Sequence, residues 1–265
     1  MVELGISTFG ETTPLEGTGQ TYTHDERIRQ LVAEIELADK VGLDVYGIGE
    51  HHREDFAVSA PEIVLAAGAV KTEKIRLTSA VSVLSSLDPI RVYQQYATID
   101  ALSNGRAEVM AGRGSFIESF PLFGYDLKDY EELFDEKLDL LLYASAETRL
   151  NWKGKLTQTI DNREVYPRAV QETLPVWVAT TGGNAESTIK VAQKGLPIAY
   201  AIIGGQPKRF KPLLDAYRRI GRESGLSDEK LKIAAHSWGW VMEDNEEAIW
   251  TYFHPTKQVV DAISK

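Results

Sequence analysis

Short apolar runs alternate with amphipathic segments along almost the whole chain, and the seven runs that read as principal strands are centred near Leu4, Tyr46, Ser79, Val109, Val178, Ala201 and Ser237. Strands separated by helices rather than by tight turns must pair in parallel through crossovers, which confines the chain to an α/β architecture. The helical segments carry their own start and stop signals. Thr23-His24-Asp25-Glu26 is a capping-box pattern, and Ile28, Leu31, Val32, Ile35, Ala38 and Val41 follow at helical spacing up to Gly42. Ser59-Ala60-Pro61-Glu62 opens a second helix, and Asp88-Pro89 caps a third that runs to about Leu102. Asn104-Gly105 then turns the chain into a strand over residues 106–111.

Further strands are expected over residues 2–9, 45–48, 75–84, 175–179, 198–202 and 231–241. A helix through Tyr143, helices over 184–194 and 207–224, and helical sequence from Glu246 onward complete the alternation. Residues 150–160 read as a small hairpin excursion around Lys153-Gly154. No Pro/Ser-rich linker or short repeat divides the chain, so residues 1–265 read as one domain. A TIM-type (β/α) barrel with insertions is the preferred fold class, and a doubly wound sheet is the alternative.

Composition narrows the chemistry. With no cysteine, disulfides, thiolate metal sites and cysteine nucleophiles are excluded. A net charge of −10 without a segregated basic patch argues against nucleic acid as a partner. The N-terminus lacks the basic-then-apolar pattern of a secretory signal, and no apolar run approaches the roughly 18 residues of a membrane span. A cytoplasmic protein with no membrane contact is expected.

In either α/β architecture ligands gather outside the carboxyl ends of the strands. Four groups stand there: Glu50-His51-His52, Ser79-Ala80-Val81, Gly112-Arg113-Gly114-Ser115, and Thr180-Thr181-Gly182-Gly183-Asn184 feeding a helix that carries Ser187. Adjacent histidines in extended backbone point oppositely, so only one of His51 and His52 can face the barrel mouth. No metal is expected, because the helical spacing of a zinc site is absent. The pair is either hydrogen-bonded in a loop or supplies one proton donor. Gly112-Arg113-Gly114 lacks the third glycine of a dinucleotide fingerprint, with Ile117 in its place. It is either a close-approach site for a flat ligand or a tight turn. The Thr181–Asn184 stretch is either a plain helix cap or an anion site built from backbone N–H groups and a helix N-terminus.

Taken in order, these stretches resemble the bacterial luciferase-like flavin-dependent oxidoreductases. Further matching segments are Thr78 through Pro89, Thr98-Ile99-Asp100, Leu102-Ser103-Asn104-Gly105-Arg106, and Gly195-Leu196-Pro197. The resemblance implies a TIM barrel that holds reduced flavin mononucleotide (FMN), or alternatively a deazaflavin coenzyme, across its carboxyl face. By that analogy His51 or His52 lies near the ring system as the catalytic residue. Ser79, Ala80 and Val81 pass beneath the ring, where several family members have a non-proline cis peptide. Gly112, Arg113, Gly114 and Ser115, with Thr181, Gly182, Gly183, Asn184 and Ser187, would hold the ribityl chain and phosphate.

The implied activity is a monooxygenase acting with O2 on a small organic substrate, fed by a separate flavin reductase. Deazaflavin-dependent hydride transfer and non-catalytic flavin binding are the rival functions. Light emission is not implied, since the aldehyde-oxidising luciferases carry Cys where Gly112 stands. The resemblance also implies homodimers, with Ile63, Val64, Ala67 and Val70 as a candidate contact. Family chains carry an eighth strand and further helices, so the barrel is expected to be incomplete after the seventh strand.

Overall fold

The computed structural model describes residues 2–12, 19–114, 116–182, 185–203 and 206–263. In chain order the elements are β1 (Gly5–Thr8), α1 (His24–Val41), β2 (Val45–Ile48), α2 (Pro61–Ala69), β3 (Arg76–Ser79), β4 (Ser82–Val83), α3 (Pro89–Ser103) and β5 (Ala107–Gly112). There follow α4 (Ser119–Phe123), α5 (Tyr130–Ala146), β6 (Arg149–Lys153), β7 (Thr159–Glu164), β8 (Val176–Thr180) and α6 (Ala185–Gln193). The remainder is β9 (Ile198–Ile202), α7 (Lys211–Glu223), β10 (Ile233–Ser237) and α8 (Asn245–Ile263).

Seven strands form one parallel sheet in the order β1-β2-β3-β5-β8-β9-β10, curled into a nearly closed TIM-type barrel with helices outside. Between β10 and β1 no ladder joins the described residues. There, Ser7 Oγ lies 3.4 Å from His236 Nδ1. This is the TIM-type barrel expected from the sequence, and it excludes the doubly wound alternative.

Local chemistry explains the element ends. Thr23 caps α1 through the reciprocal capping box with Glu26, and Gly42 ends it at φ 84°. Asp88 caps α3, accepting a hydrogen bond from the Arg91 N–H at 2.8 Å. The β6–β7 hairpin leaves the barrel, and its turn is held by Glu136 of α5, which accepts from Thr157 N at 2.8 Å and Lys155 N at 3.0 Å. Strand side chains alternate between the barrel interior and the helix layer. Tyr46 therefore reaches outward, its hydroxyl donating to Glu34 of α1 at 2.8 Å. The main core lies between sheet and helices, where Ile48, Leu77, Val109 and Val178 meet Leu31, Leu65, Tyr96 and Leu141.

Several expected boundaries move. The strand expected over 75–84 is two strands, β3 and β4, divided at a cis Ala80–Val81 peptide. The strands expected over 2–9 and 231–241 shorten to β1 and β10. The helix expected over 207–224 begins with a separate 3-10 turn, Pro207–Phe210, and α4 was not foreseen. Ile63, Ala67 and Val70 do form an outward stripe on α2, but Val64 does not belong to it; it faces the core at 6% exposure.

Candidate functional site

A cavity of about 430 Å³ opens at the carboxyl ends of the strands. Its walls come from strand ends far apart in sequence: Phe9 after β1, Glu50 and His51 after β2, Ala80 and Val81 between β3 and β4, and Gly112, Arg113 and Gly114 at β5. Ala179 and Thr180 of β8 with Thr181 just after it, and Ala201 of β9 with Ile203 just after it, also line it. Helices close the rest, through Tyr130 and Glu131 of α5 and Glu186, Ser187 and Lys190 of α6.

The histidine pair divides as extended backbone requires. His51 lines the cavity, with its ring stacked on Phe56 at 4.2 Å and set edge-on to Phe9 at 4.9 Å. Burial pushes its pKa down to about 4, against the opposing pull of Glu118, whose Oε1 lies 3.8 Å from Nδ1. The ring is therefore neutral at neutral pH. His51 can donate or accept one hydrogen bond, but it is not a ready imidazolium. His52 is not part of the cavity wall. Its Nε2 is 2.9 Å from the buried carboxylate of Glu50, and its ring meets Phe123 edge-on at 5.1 Å.

The apolar part of the lining is Phe9, Ala80, Val81 and Gly112, joined by the neutral ring of His51. A Cβ on Gly112 would sit 2.5 Å from the Val81 side chain, so only glycine lets β5 pass this close. Ser79 is placed elsewhere. It is fully buried, and its hydroxyl both donates to the Met110 carbonyl and accepts from the Met110 N–H at 3.0 Å. It ties β3 to β5 and does not line the cavity.

The polar part of the lining includes Arg113, Thr180, Thr181, Glu186, Ser187 and Lys190. Ser187, in the first turn of α6, is 9% exposed, and its Oγ has no hydrogen-bond partner among the described residues. A hydroxyl without a protein partner, on a residue that lines a cavity, suits hydrogen bonding to a ligand. Gly182 lies just before, at φ 73°, beside the Phe210 ring, which a Cβ would meet at 2.6 Å. Arg113 lies over the Phe134 ring at 4.0 Å and pairs with Glu131 at 3.0 Å and Asp135 at 3.7 Å. Lys190 pairs with Asp135 at 2.8 Å and Glu186 at 3.2 Å, and the Asp135 hydrogen bond raises its pKa. Ser115, Gly183 and Asn184 lie outside the described residues.

A luciferase-like monooxygenase family model matches residues 2–262. The chain belongs to the luciferase-like monooxygenase family. Within it, the N-acetyl-S-alkylcysteine monooxygenase of Bacillus subtilis (strain 168) is 27% identical over 226 residues, covering 83% of this chain and 65% of that protein. The chain spans about three-fifths of the length of the curated relatives it matches. Among solved structures, the monooxygenase RslO1 from Streptomyces bottropensis has a TM-score of 0.87 at 22% identity, covering 99% of this chain and 80% of that one. The oxygenating constituent of 3,6-diketocamphane monooxygenase from Pseudomonas putida, in complex with FMN, has a TM-score of 0.78 at 15% identity, covering 100% and 78%. These likenesses show that the luciferase-like fold is shared.

Sequence reasoning brought His51, Ala80, Val81, Gly112, Arg113, Gly114, Thr181 and Ser187 to one cavity. It missed Phe9, Tyr130, Glu131 and Lys190. Lys190 stands three residues beyond Ser187 on the same helix, a spacing that places both on one face. That signal was available. Tyr130 and Glu131 arrive from a helix start with no motif of its own, and nothing local in the sequence marks them.

Proposed function

We propose that this chain is a flavin-dependent monooxygenase that takes reduced FMN and O2 to a small organic substrate. The carrying observation is one cavity at the strand ends whose lining combines Phe9, Ala80, Val81 and Gly112 with Arg113, Lys190 and a Ser187 whose hydroxyl has no partner among the described residues. The residues fit the cofactor. Ser187, the start of α6 and Arg113 suit a phosphate, and the close passage of Gly112 by Val81 suits a planar ring. The FMN named for the P. putida neighbour supports the same reading.

Bound reduced flavin would supply the electrons for oxygen activation. The chain's own residues position and shield it. Phe9, Phe56 and the neutral His51 ring keep water from the apolar lining, and His51 offers one N–H to the reacting atoms. Glu50 and His52 hold the strand ends behind it. A separate reductase is the natural source of reduced flavin, since no dinucleotide fingerprint occurs in the sequence. The protein is expected to bind FMN by fluorescence titration and to consume O2 when reduced FMN and an apolar carbonyl or thioether probe are supplied. Binding of a deazaflavin with no uptake of O2 would move the reading to hydride transfer. Binding of FMN without turnover of any probe would leave a flavin-binding protein.

A further inference from the structure

Two cations on the cavity wall share one carboxylate. Asp135 of α5 stands behind the wall, its Oδ1 3.7 Å from Arg113 Nη2 and its Oδ2 2.8 Å from Lys190 Nζ. Arg113 comes from the end of β5 and Lys190 from the second turn of α6, so Asp135 joins elements that have no ladder or helix in common. Lys190 lies on the face of α6 that carries Ser187, whose buried hydroxyl has no partner among the described residues. An arginine and a lysine held on one carboxylate, with a serine hydroxyl on the same helix face and in the same cavity lining, suit a phosphoryl group. These cations are already charge-compensated. Glu131 pairs with Arg113 at 3.0 Å and Glu186 with Lys190 at 3.2 Å, and both carboxylates line the cavity. The side chain of Glu131 is 62% exposed against 14% for Arg113, so the acid sits at the lip and the guanidinium within.

We propose that Lys190 is the second cation of the cofactor-phosphate subsite, oriented with Arg113 by Asp135, and that Glu131 competes with the phosphate for Arg113 and so sets the affinity low. The inference rests on the flavin reading above and deepens it. A phosphate entering the cavity does not meet bare cations; it must share Arg113 with a carboxylate already in contact. Affinity for the phosphate is therefore weaker than two cations and a hydroxyl would give alone. The cofactor is held as an exchangeable partner.

The test is a fluorescence titration of the full chain with FMN and with riboflavin, which differ by the phosphate alone. Lys190→Met should weaken FMN about 10-fold and leave riboflavin within about 2-fold, the size of one lost charged contact. Lys190→Arg should retain most of the FMN preference. Glu131→Gln should tighten FMN about 3-fold or more, again without change for riboflavin. Lys190→Met also leaves Asp135 uncovered, so the Lys190→Met/Asp135→Asn double variant is the control. Persistent loss of FMN affinity in it supports contact by Lys190. Return to wild-type affinity would show that Lys190 only neutralises Asp135, and would overturn the inference. An FMN-to-riboflavin ratio unmoved by Lys190→Met, or weaker FMN binding by Glu131→Gln, would overturn it too. If the wild-type chain binds neither flavin, the functional reading itself fails, a separate outcome.

Discussion

His52 Nε2 lies 2.9 Å from Glu50 Oε1, while Glu50 Oε2 accepts the Val83 N–H at 2.8 Å. One buried carboxylate thus fastens the histidine that turns away from the cavity to the strand that follows the cis Ala80–Val81 peptide. The neighbouring histidine is left facing the cavity. Two adjacent residues of the same type therefore have different duties, and their variants should fail differently.

Changing His51 to Ala should lower turnover by about 10²-fold or more while FMN affinity falls less than about 5-fold, because the residues proposed for the phosphate, Arg113, Ser187 and Lys190, are untouched. Changing His52 to Ala leaves Glu50 buried with one partner gone and should cost stability, on the order of 1–3 kcal/mol. Steady-state kinetics and urea melts of both variants separate the two roles. A larger kinetic defect in His52→Ala with unchanged stability would reverse the assignment.

Acid should expose the burial of His51. Its pKa falls from 6.5 to about 4 on folding, so between those values the unfolded chain binds the proton and the native chain does not. Stability on this account is complete above about pH 6.5 and is lost as the pH falls toward 4, by about 3 kcal/mol in all. His236, half-buried and shifted down by desolvation, acts in the same sense. Glu62 and Glu108, whose burial raises their pKa, act oppositely. The comparison of wild type with His51→Gln isolates the His51 contribution. Thermal melts at pH 7 and 5 should show a smaller drop in Tm for the variant.

The architecture was legible in the sequence because the helices between the strands begin and end on residues that mark their limits. Gly42, Asp88-Pro89 and Asn104-Gly105 mark boundaries by backbone chemistry alone, and all three operate as caps or turns. What could not be read was any feature set by residues distant in sequence. Ser79 looks like a cavity residue until β5 is placed beside it and Met110 takes its hydroxyl. Arg113 looks like a free cation until α5 brings Glu131 and Asp135. The depressed pKa of His51 likewise depends on Phe9, Phe56 and Phe116, gathered from three separate loops.

Asp100 is another such hub, and its loss should be severe. It is fully buried on α3, and its carboxylate accepts from Val170 N at 2.8 Å, Gln171 N at 3.0 Å, Gln171 Nε2 at 2.7 Å and Ala107 N at 3.2 Å. Asp100→Ala strands these donors near the start of β5 and should destabilise the chain by about 3 kcal/mol or more. Urea denaturation measures it. A loss below about 1 kcal/mol would mean that water replaces the carboxylate there.

Gly112→Ala tests the apolar part of the lining. The added Cβ would press on the Val81 side chain from 2.5 Å and drive it toward the space assigned to the ring. FMN and riboflavin carry the same ring, so both should weaken by a similar factor, about 5-fold or more. The Lys190 and Glu131 variants should instead change FMN alone. A Gly112→Ala effect confined to FMN would place the phosphate, and not the ring, beside Gly112.

Self-association is the last expectation, and α2 is where it should be seen. Ile63 and Val70 are 65% and 63% exposed, and Ala67 is exposed between them, so one outward face of the helix is apolar at i, i+4 and i+7. On the adjoining α1, Leu37 and Val41 are 59% and 66% exposed. Scattered exposed apolar residues need no explanation, but a stripe continued across two packed helices is the surface that a second copy would cover. A two-fold pairing would set this face against itself and bury Ala67 near the axis, where a small side chain permits close helix approach. Ala67→Glu would place two carboxylates opposite each other there, yet in the separate chain it only adds a solvated charge. Sedimentation velocity should show a dimer for the wild type and a monomer for Ala67→Glu, with unchanged circular dichroism. A wild-type chain that stays monomeric at all accessible concentrations would reject the pairing outright, and a dimer indifferent to Ala67→Glu would move the interface to another face.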